Sequence, residues 1–261
     1  MAPQHAGYDL ARLRKELRPF RLYWFPHLNS TNDQAARLRR RGELFAPAAV
    51  LTGRQSAGRG RGAHSWWSGA GSVTVTFALP IEEHLSPQQV PLVAGLAVRA
   101  ALEEISGLAG IGLKWPNDLI YEGQKLAGVL CERLERVDLV GAGINLNVDP
   151  HRAPLSLRSR ITSLRAVTGR DFDPTTAVAR TAAHLLRMMG RRSEHPFPAL
   201  VEEYDRHHVL VGRRVTVSDA GRAPAVSGTC EGLDQTGRLV LREWGMTYRL
   251  SAGSVQIAQI L

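Results

Sequence analysis

The sequence predicts an α+β protein in two parts, a mixed unit over residues 21–208 and a small all-β unit over residues 209–261, behind a short N-terminal helix or tail at residues 1–20. Three observations lead there. Residues 72–79 alternate, with Val73, Val75, Phe77 and Leu79 on one face and Ser72, Thr74, Thr76 and Ala78 on the other, the pattern of a half-buried strand. Helix-opening signals are interspersed with such strands. Beyond Val209 only short β-like pieces occur, as in a small barrel.

The elements follow in order. Residues 21–25 read as a strand. A capping box with Thr31 as N-cap and Gln34 three residues later opens a helix that Gly42 closes. Residues 48–52 form a buried strand candidate. Ser86-Pro87-Gln88-Gln89 is a second capping box, with proline at the first helical position, and launches a helix to about Ser106. Residues 113–115, 118–121, 127–133 and 139–146 are short strands, with a clear turn at Glu122-Gly123. Asp173-Pro174 caps a helix running to Gly190, and residues 198–208 form another. The C-terminal strands are expected at 213–218, 225–233, 238–243, 247–250 and 254–258.

Composition excludes several classes. The chain has 261 residues, 44% hydrophobic and 22% charged, an ordinary globular balance. The most apolar stretch, residues 90–105, is interrupted by Arg99, Glu103 and Glu104, so no membrane span is expected. The first twenty residues lack a signal-peptide h-region and are too few for a helix-turn-helix. Cys131 and Cys230 form no CxxC pair, which points to the cytoplasm rather than to a disulfide or zinc framework. The net charge of +9 favours anionic partners, and only three of the cations, Lys15, Lys114 and Lys125, are lysines.

The densest chemical signal is Gln55-Ser56-Ala57-Gly58-Arg59-Gly60-Arg61-Gly62. Its glycines admit an anion close to the backbone, and arginines two apart in an extended loop project to one side. It is neither a P-loop nor a dinucleotide fingerprint, and alone it reads equally as a solvated turn or an RGG-like nucleic-acid contact. Trp66-Trp67 follows, either core or a stacking surface. Lys114-Trp115-Pro116-Asn117-Asp118 ends an apolar strand with a lysine that wants an anion, then offers an amide and a carboxylate of the kinds that hold Mg²⁺ and nucleotide oxygens. Lys125 reads equally as a ligand or a solvated turn residue. Gly141-Ala142-Gly143-Ile144-Asn145-Leu146-Asn147 allows close backbone approach to a ligand, or a bulge and turn. Ile161-Thr162-Ser163-Leu164 reads first as a helix cap. His207-His208 is expected on the surface. Elbow, zincin and EF-hand motifs are missing.

Taken in order, Ser30-Thr31-Asn32, residues 55–61 with Trp66, Lys114-Trp115-Pro116-Asn117-Asp118, Lys125-Leu126-Ala127-Gly128, Gly141-Ala142-Gly143-Ile144-Asn145 and Thr162-Ser163-Leu164 resemble the biotin protein ligases, in the form without an N-terminal DNA-binding domain. The resemblance implies a mixed-sheet catalytic domain like that of class II aminoacyl-tRNA synthetases, an SH3-like C-terminal barrel, and ATP-dependent, Mg²⁺-assisted biotinylation of a biotin carboxyl carrier protein domain. It implies a biotin site of Ser30, Thr31, Asn32, Gln55, Arg59, Gly60, Arg61, Lys114 and Gly128. The nucleotide would meet Arg61, Trp66, Lys114, Asn117, Asn145 and Ser163, and the metal Asp118. Lys114, Arg59 and Arg61 would be catalytic. The loop departs from the family pattern at Ala63 and His64. Neither DNA nor membrane binding is expected, and homodimerisation is left open. A lipoate or octanoate ligase or transferase of the same fold is the nearest alternative, and a basic nucleic-acid-binding regulator the alternative from another class.

Overall fold

The computed structural model describes residues 7–62, 64–190, 197–219 and 222–257. Residues 1–6 of the expected tail, Ala63, and residue 258 of the last expected strand lie outside the described residues. The chain runs α1 (Leu10–Glu16), β1 (Arg21–Phe25), α2 (Thr31–Arg40), β2 (Ala48–Thr52), β3 (Gly58–Arg59), β4 (Ser65–Trp66), β5 (Ser72–Pro80) and α3 (Val90–Ser106). It continues through β6 (Gly112–Lys114), β7 (Asp118–Tyr121), β8 (Gln124–Leu134), β9 (Val137–Asn145), α4 (Leu155–Arg158), α5 (Leu164–Thr168), α6 (Pro174–Met189) and α7 (Phe197–Asp205). The last part holds β10 (Arg214–Asp219), β11 (Arg222–Leu233), β12 (Leu239–Glu243), β13 (Met246–Leu250) and β14 (Ser254–Ile257).

Seven strands form one mixed sheet in the order β1-β2-β5-β9-β8-β7-β6, parallel between β1 and β2 and antiparallel elsewhere. The five C-terminal strands make an antiparallel sheet in the order β13-β12-β11-β10-β14. The α+β class with a mixed sheet is therefore as expected.

Several expectations need correction. The strand β5 is not half-buried: its whole middle is covered on both faces. Val73, Val75, Phe77 and Leu79 join the main core with α3 and α6, while Ala78 packs against Ala35 and Leu38 of α2 on the opposite face. The alternation was real, but the polar face is roofed by α2 instead of water. The helix α2 also starts one residue earlier than expected, capped by Ser30, whose Oγ accepts from the Asp33 amide at 3.3 Å. Thr31 is thereby freed to face the sheet.

The helix α3 begins at Val90, preceded by a turn in which the Gln89 side chain accepts from the Ser86 amide at 2.8 Å, one half of the expected box. At the β7–β8 turn Glu122 and Gly123 both take positive φ, 47° and 80°, as a tight hairpin of this hand demands. His208 is not a surface residue. It is buried beside Tyr204 and Asp205 of α7, with Nδ1 3.2 Å from Asp205 Oδ1, and its backbone bridges to Leu113 of β6.

The core is continuous between the sheets, Val215, Cys230, Leu239 and Leu241 belonging to the same cluster as Phe77 and Leu96. Trp115 braces the junction, 3% exposed and donating from Nε1 to the Gly237 carbonyl at 3.3 Å. Among the described residues no helix is long and apolar enough to cross a membrane.

The N-terminal helix α1 is locked to the start of α6. The Asp9 amide donates to Thr175 Oγ1, and Arg12 reaches Asp173 and Thr176, each at 2.7 Å. Asp173 is the N-cap of α6. Burial pushes its carboxyl up, but bonds from Thr176, Thr175 and Arg12 outweigh that and hold it below its usual range. A carboxyl lowered in the folded state contributes stability that is complete above the unfolded range near pH 4 and fades as pH falls through the folded value. We therefore expect Asp173→Ala to cost about 1–2 kcal/mol in urea denaturation at neutral pH. Asp173→Asn should flatten the acid limb of the stability–pH curve, and an unchanged limb would assign that limb to other carboxylates.

Candidate active site

The α2 face of the sheet carries small and polar side chains at its centre. On β5 these are Thr74 and Thr76, and on β9 they are Gly141 and Gly143, which pair across the register as Thr76 with Gly141 and Thr74 with Gly143. Gly143 in turn pairs with Gly128 of β8. Large residues there would fill the sheet face, so this choice leaves a trough. No register shift interrupts β9, so the bulge reading of its glycines is set aside.

Other elements fill part of the trough. A Cβ on Gly141 would lie 2.1 Å from Asn32 Oδ1, and one on Gly143 would lie 2.5 Å from the Trp66 ring. Asn32 accepts from Thr76 Oγ1 at 2.6 Å and donates to the Leu130 carbonyl at 3.2 Å and to Glu132 Oε2 at 2.9 Å. Gln55 accepts from the Thr31 amide at 2.9 Å, an N-terminal helix amide that lacks an intrahelical partner, and its Nε2 lies 3.4 Å from Ser68 Oγ. The loop and the start of α2 are thus one hydrogen-bonded unit.

What remains is a cavity of about 440 Å³, counting its open mouth. Ser30, Thr31, Asn32, Gln55, Arg59, Gly60, Trp66, Asn117 and Gly128, all named from the sequence, line it. Lys125 lines it too, and so does Thr74. Lys125 Nζ sits 2.5 Å from Asp118 Oδ1 and 5.5 Å from the centre of the Trp66 ring. Asn117 spans to β8, donating to the Val129 carbonyl at 2.8 Å. Trp66, on β4, and Trp67, just after it, are half-buried and belong to neither core cluster.

The remaining expected residues stand outside the lining. Lys114, one strand pairing away from Asp118, is half-buried. Burial lowers the pKa of its ammonium, the charges of Lys125 and Arg160 add to that, and Asp118 opposes it. Arg61 reaches the carbonyl of Gly253, just before β14, at 3.2 Å. Ser163 is fully buried as the cap of α5, donating to Val148 and accepting from Ala166, so its hydroxyl is committed to structure. Asn145 lies at the end of β9, its Nδ2 3.3 Å from the Lys125 carbonyl and its Oδ1 buried without a partner. Trp66 Nε1 is also buried and unpartnered. Each of these two atoms keeps hydrogen-bonding capacity that no described protein group fills.

The residues do not fit a magnesium held by the protein itself. Asp118 is engaged by Lys125, and among the described residues no three His, Cys, Asp or Glu side chains cluster.

Residues 24–149 match the Biotin/lipoate A/B protein ligase family, a grouping that spans both acyl chemistries. The biotin–(acetyl-CoA-carboxylase) ligase of Mycobacterium tuberculosis is 30% identical over 215 residues, 79% of this chain and 77% of that protein. The ligase of the same description from Paracoccus denitrificans is 30% identical over 222 residues, 82% of this chain and 91% of that one. The chain belongs to the biotin protein ligase family. The family resemblance read from the ordered motifs is borne out. Among solved structures, the biotin protein ligase of Aquifex aeolicus in complex with biotin and ATP superposes with a TM-score of 0.80 at 26% identity, covering 91% of this chain and 98% of its own.

In this member of the family the two β9 glycines set the depth of the trough. Gly141→Ala should force Asn32 off its three partners. We expect a loss of about 1–3 kcal/mol by urea denaturation, larger than a surface glycine replacement would give. An unchanged midpoint would mean that Asn32 has somewhere else to go.

Proposed function

We propose that this chain joins biotin to ATP as biotinyl-5′-adenylate and passes the biotinyl group to a lysine of a biotin carboxyl carrier protein domain. The observation that carries the reading is Lys125, an ammonium set in a cavity whose other walls offer hydrogen bonds and small residues. In the first step a carboxylate oxygen bonds to the α-phosphorus of ATP while the bond to pyrophosphate breaks. Two unit anions 4 Å apart repel by about 4 kcal/mol at an effective dielectric of about 20, so the step needs a cation between them. A compact ammonium can follow the charge as it moves onto the leaving group. Lys125 lines the cavity, whereas Lys114, the lysine that the resemblance makes catalytic, does not.

In the second step a neutral carrier amine bonds to the acyl carbon, AMP leaves, and the new amide nitrogen gives up a proton. Trp66 and Asn145 offer the nucleotide a ring face, an indole N–H and a carboxamide oxygen. Magnesium would arrive with the ATP phosphates, not on a site of the protein's own, and would neutralise phosphate charge. We read the seven-stranded sheet as the synthetase-like catalytic unit and the C-terminal sheet as the SH3-like one. The net charge of +9 suits an acidic carrier domain.

The test is incubation with ATP, labelled biotin and a carrier domain. Biotin transfer is expected, and transfer of lipoate instead would overturn the reading. Lys125→Met should lower pyrophosphate release by about 10²–10³-fold, the scale of one transition-state charge contact. Lys114→Arg tests the second lysine, and near-normal pyrophosphate release would remove it from the chemistry.

A further inference from the structure

The segment that leads into α5 runs alongside the start of β8. Gln124 Nε2 donates to the Ser159 carbonyl at 3.2 Å, the Lys125 amide to the Arg160 carbonyl at 2.8 Å, and the Thr162 amide to the Lys125 carbonyl at 3.0 Å. Lys125 and Ile161 thereby form a parallel bridge. Arg160 is thus fixed by its backbone to the residue whose ammonium lines the cavity, while Arg160 itself is exposed. Asp118 stands 2.5 Å from that ammonium and pairs across β6 and β7 with Lys114. Three cations therefore gather about one carboxylate. Lys125 and Asp118 neutralise each other, and among the described residues neither Lys114 nor Arg160 makes an ion pair or a side-chain hydrogen bond. Lys114 registers the surplus. Burial lowers its pKa most, Asp118 opposes that, and the charges of Lys125 and Arg160 lower it further.

We propose that Arg160 binds, together with Lys114, the terminal diphosphate of ATP and then the pyrophosphate that leaves. A site with two cations to spare calls for an anion that carries more than one charge. A carboxylate carries a single charge and so does an adenylate phosphodiester, whereas a diphosphate carries several. A guanidinium forks onto two phosphate oxygens, and the ammonium beside it acts as a point charge. As the carboxylate oxygen bonds to the α-phosphorus, the bond from that phosphorus to the bridging oxygen breaks and its electron pair departs on pyrophosphate. The two spare cations stabilise the charge that collects there. Lys125 is left to the reacting carboxylate and α-phosphate, so attack and departure fall to different cations. The motif at residues 161–164 begins just past Arg160, which is why the motifs do not contain it. The proposal deepens the ligase reading and rests on it for the source of the diphosphate.

The experiment is calorimetric titration of inorganic pyrophosphate into the ligand-free full chain at fixed ionic strength. Wild type is compared with Arg160→Gln, Arg160→Lys and Arg152→Gln, the last removing a charge from a side chain 80% exposed on the same segment. The carbonyl that holds the Lys125 amide survives each substitution. Arg160→Gln should weaken pyrophosphate by about five- to twentyfold, the scale of one charge-assisted contact at an exposed site. Arg160→Lys should weaken it less, since it keeps the charge and loses the fork. Arg152→Gln should match wild type. In turnover, the KM of Arg160→Gln for ATP should rise by the same factor with kcat for adenylate formation within about threefold, as loss of uniform binding requires. Its KM for biotin, and transfer to the carrier domain from preformed biotinyl-5′-adenylate, should not change. Pyrophosphate held as tightly by Arg160→Gln as by wild type would overturn the assignment, and so would equal weakening by Arg152→Gln or a wild type that binds no pyrophosphate. Weakened pyrophosphate binding by Arg160→Gln, in a protein whose wild type transfers no biotin, would keep the site and sink the ligase reading instead.

Discussion

The carboxamide of Asn32, seated over Gly141, bonds to Thr76 on β5, to the Leu130 carbonyl on β8 and to Glu132, so three strands and the first turn of α2 meet at one side chain. Every donor and acceptor it has is used, in a place 3% exposed, where an unpaired polar atom would cost about 1–3 kcal/mol. The position of α2 follows from this, and with it the positions of Ser30 and Thr31 in the cavity wall. Gln55 then takes the Thr31 amide and anchors the glycine-rich loop to the same unit. The site is built outward from a satisfied polar cluster on a sheet face that lacks bulk.

Much of this was readable in the sequence, and for identifiable reasons. Strand β5 announced itself because alternation is a local signal, and the Asp173-Pro174 cap because its chemistry lies within four residues. Which face of β5 met what was not readable, since the roof over Thr74 and Thr76 comes from α2, more than thirty residues earlier. The motifs pointed to the right loops but misjudged individual side chains. Ser163 was legible as a cap, and its hydroxyl is spent there. Trp115 stands in a motif rich in ligand-type residues, yet it serves as a brace between sheets. Lys125 stood out through the scarcity of lysine and through its motif, yet neither signal chose between a ligand and a turn residue as the geometry beside Asp118 does.

Charge shows the same limit from another side. The formal +9 describes the chain as a whole, while local fields depend on pairing. At the cavity mouth Arg59 is shared by Asp33 and Glu132, and deeper in, Lys125 shares Asp118 with its neighbour Lys114. The loop also looks outward, since Arg61 rests on the backbone at Gly253, just before β14.

Gly141 and Gly143 lend their missing side-chain volume to residues far away in the chain, Asn32 and Trp66. Each pair behaves as one shared volume divided between two codons. A methyl gained on the strand must be matched by bulk lost on its partner, so neither half can drift alone. Across related sequences these positions should change together or stay fixed together, and a variant that breaks one pair has a natural second-site suppressor in the other half.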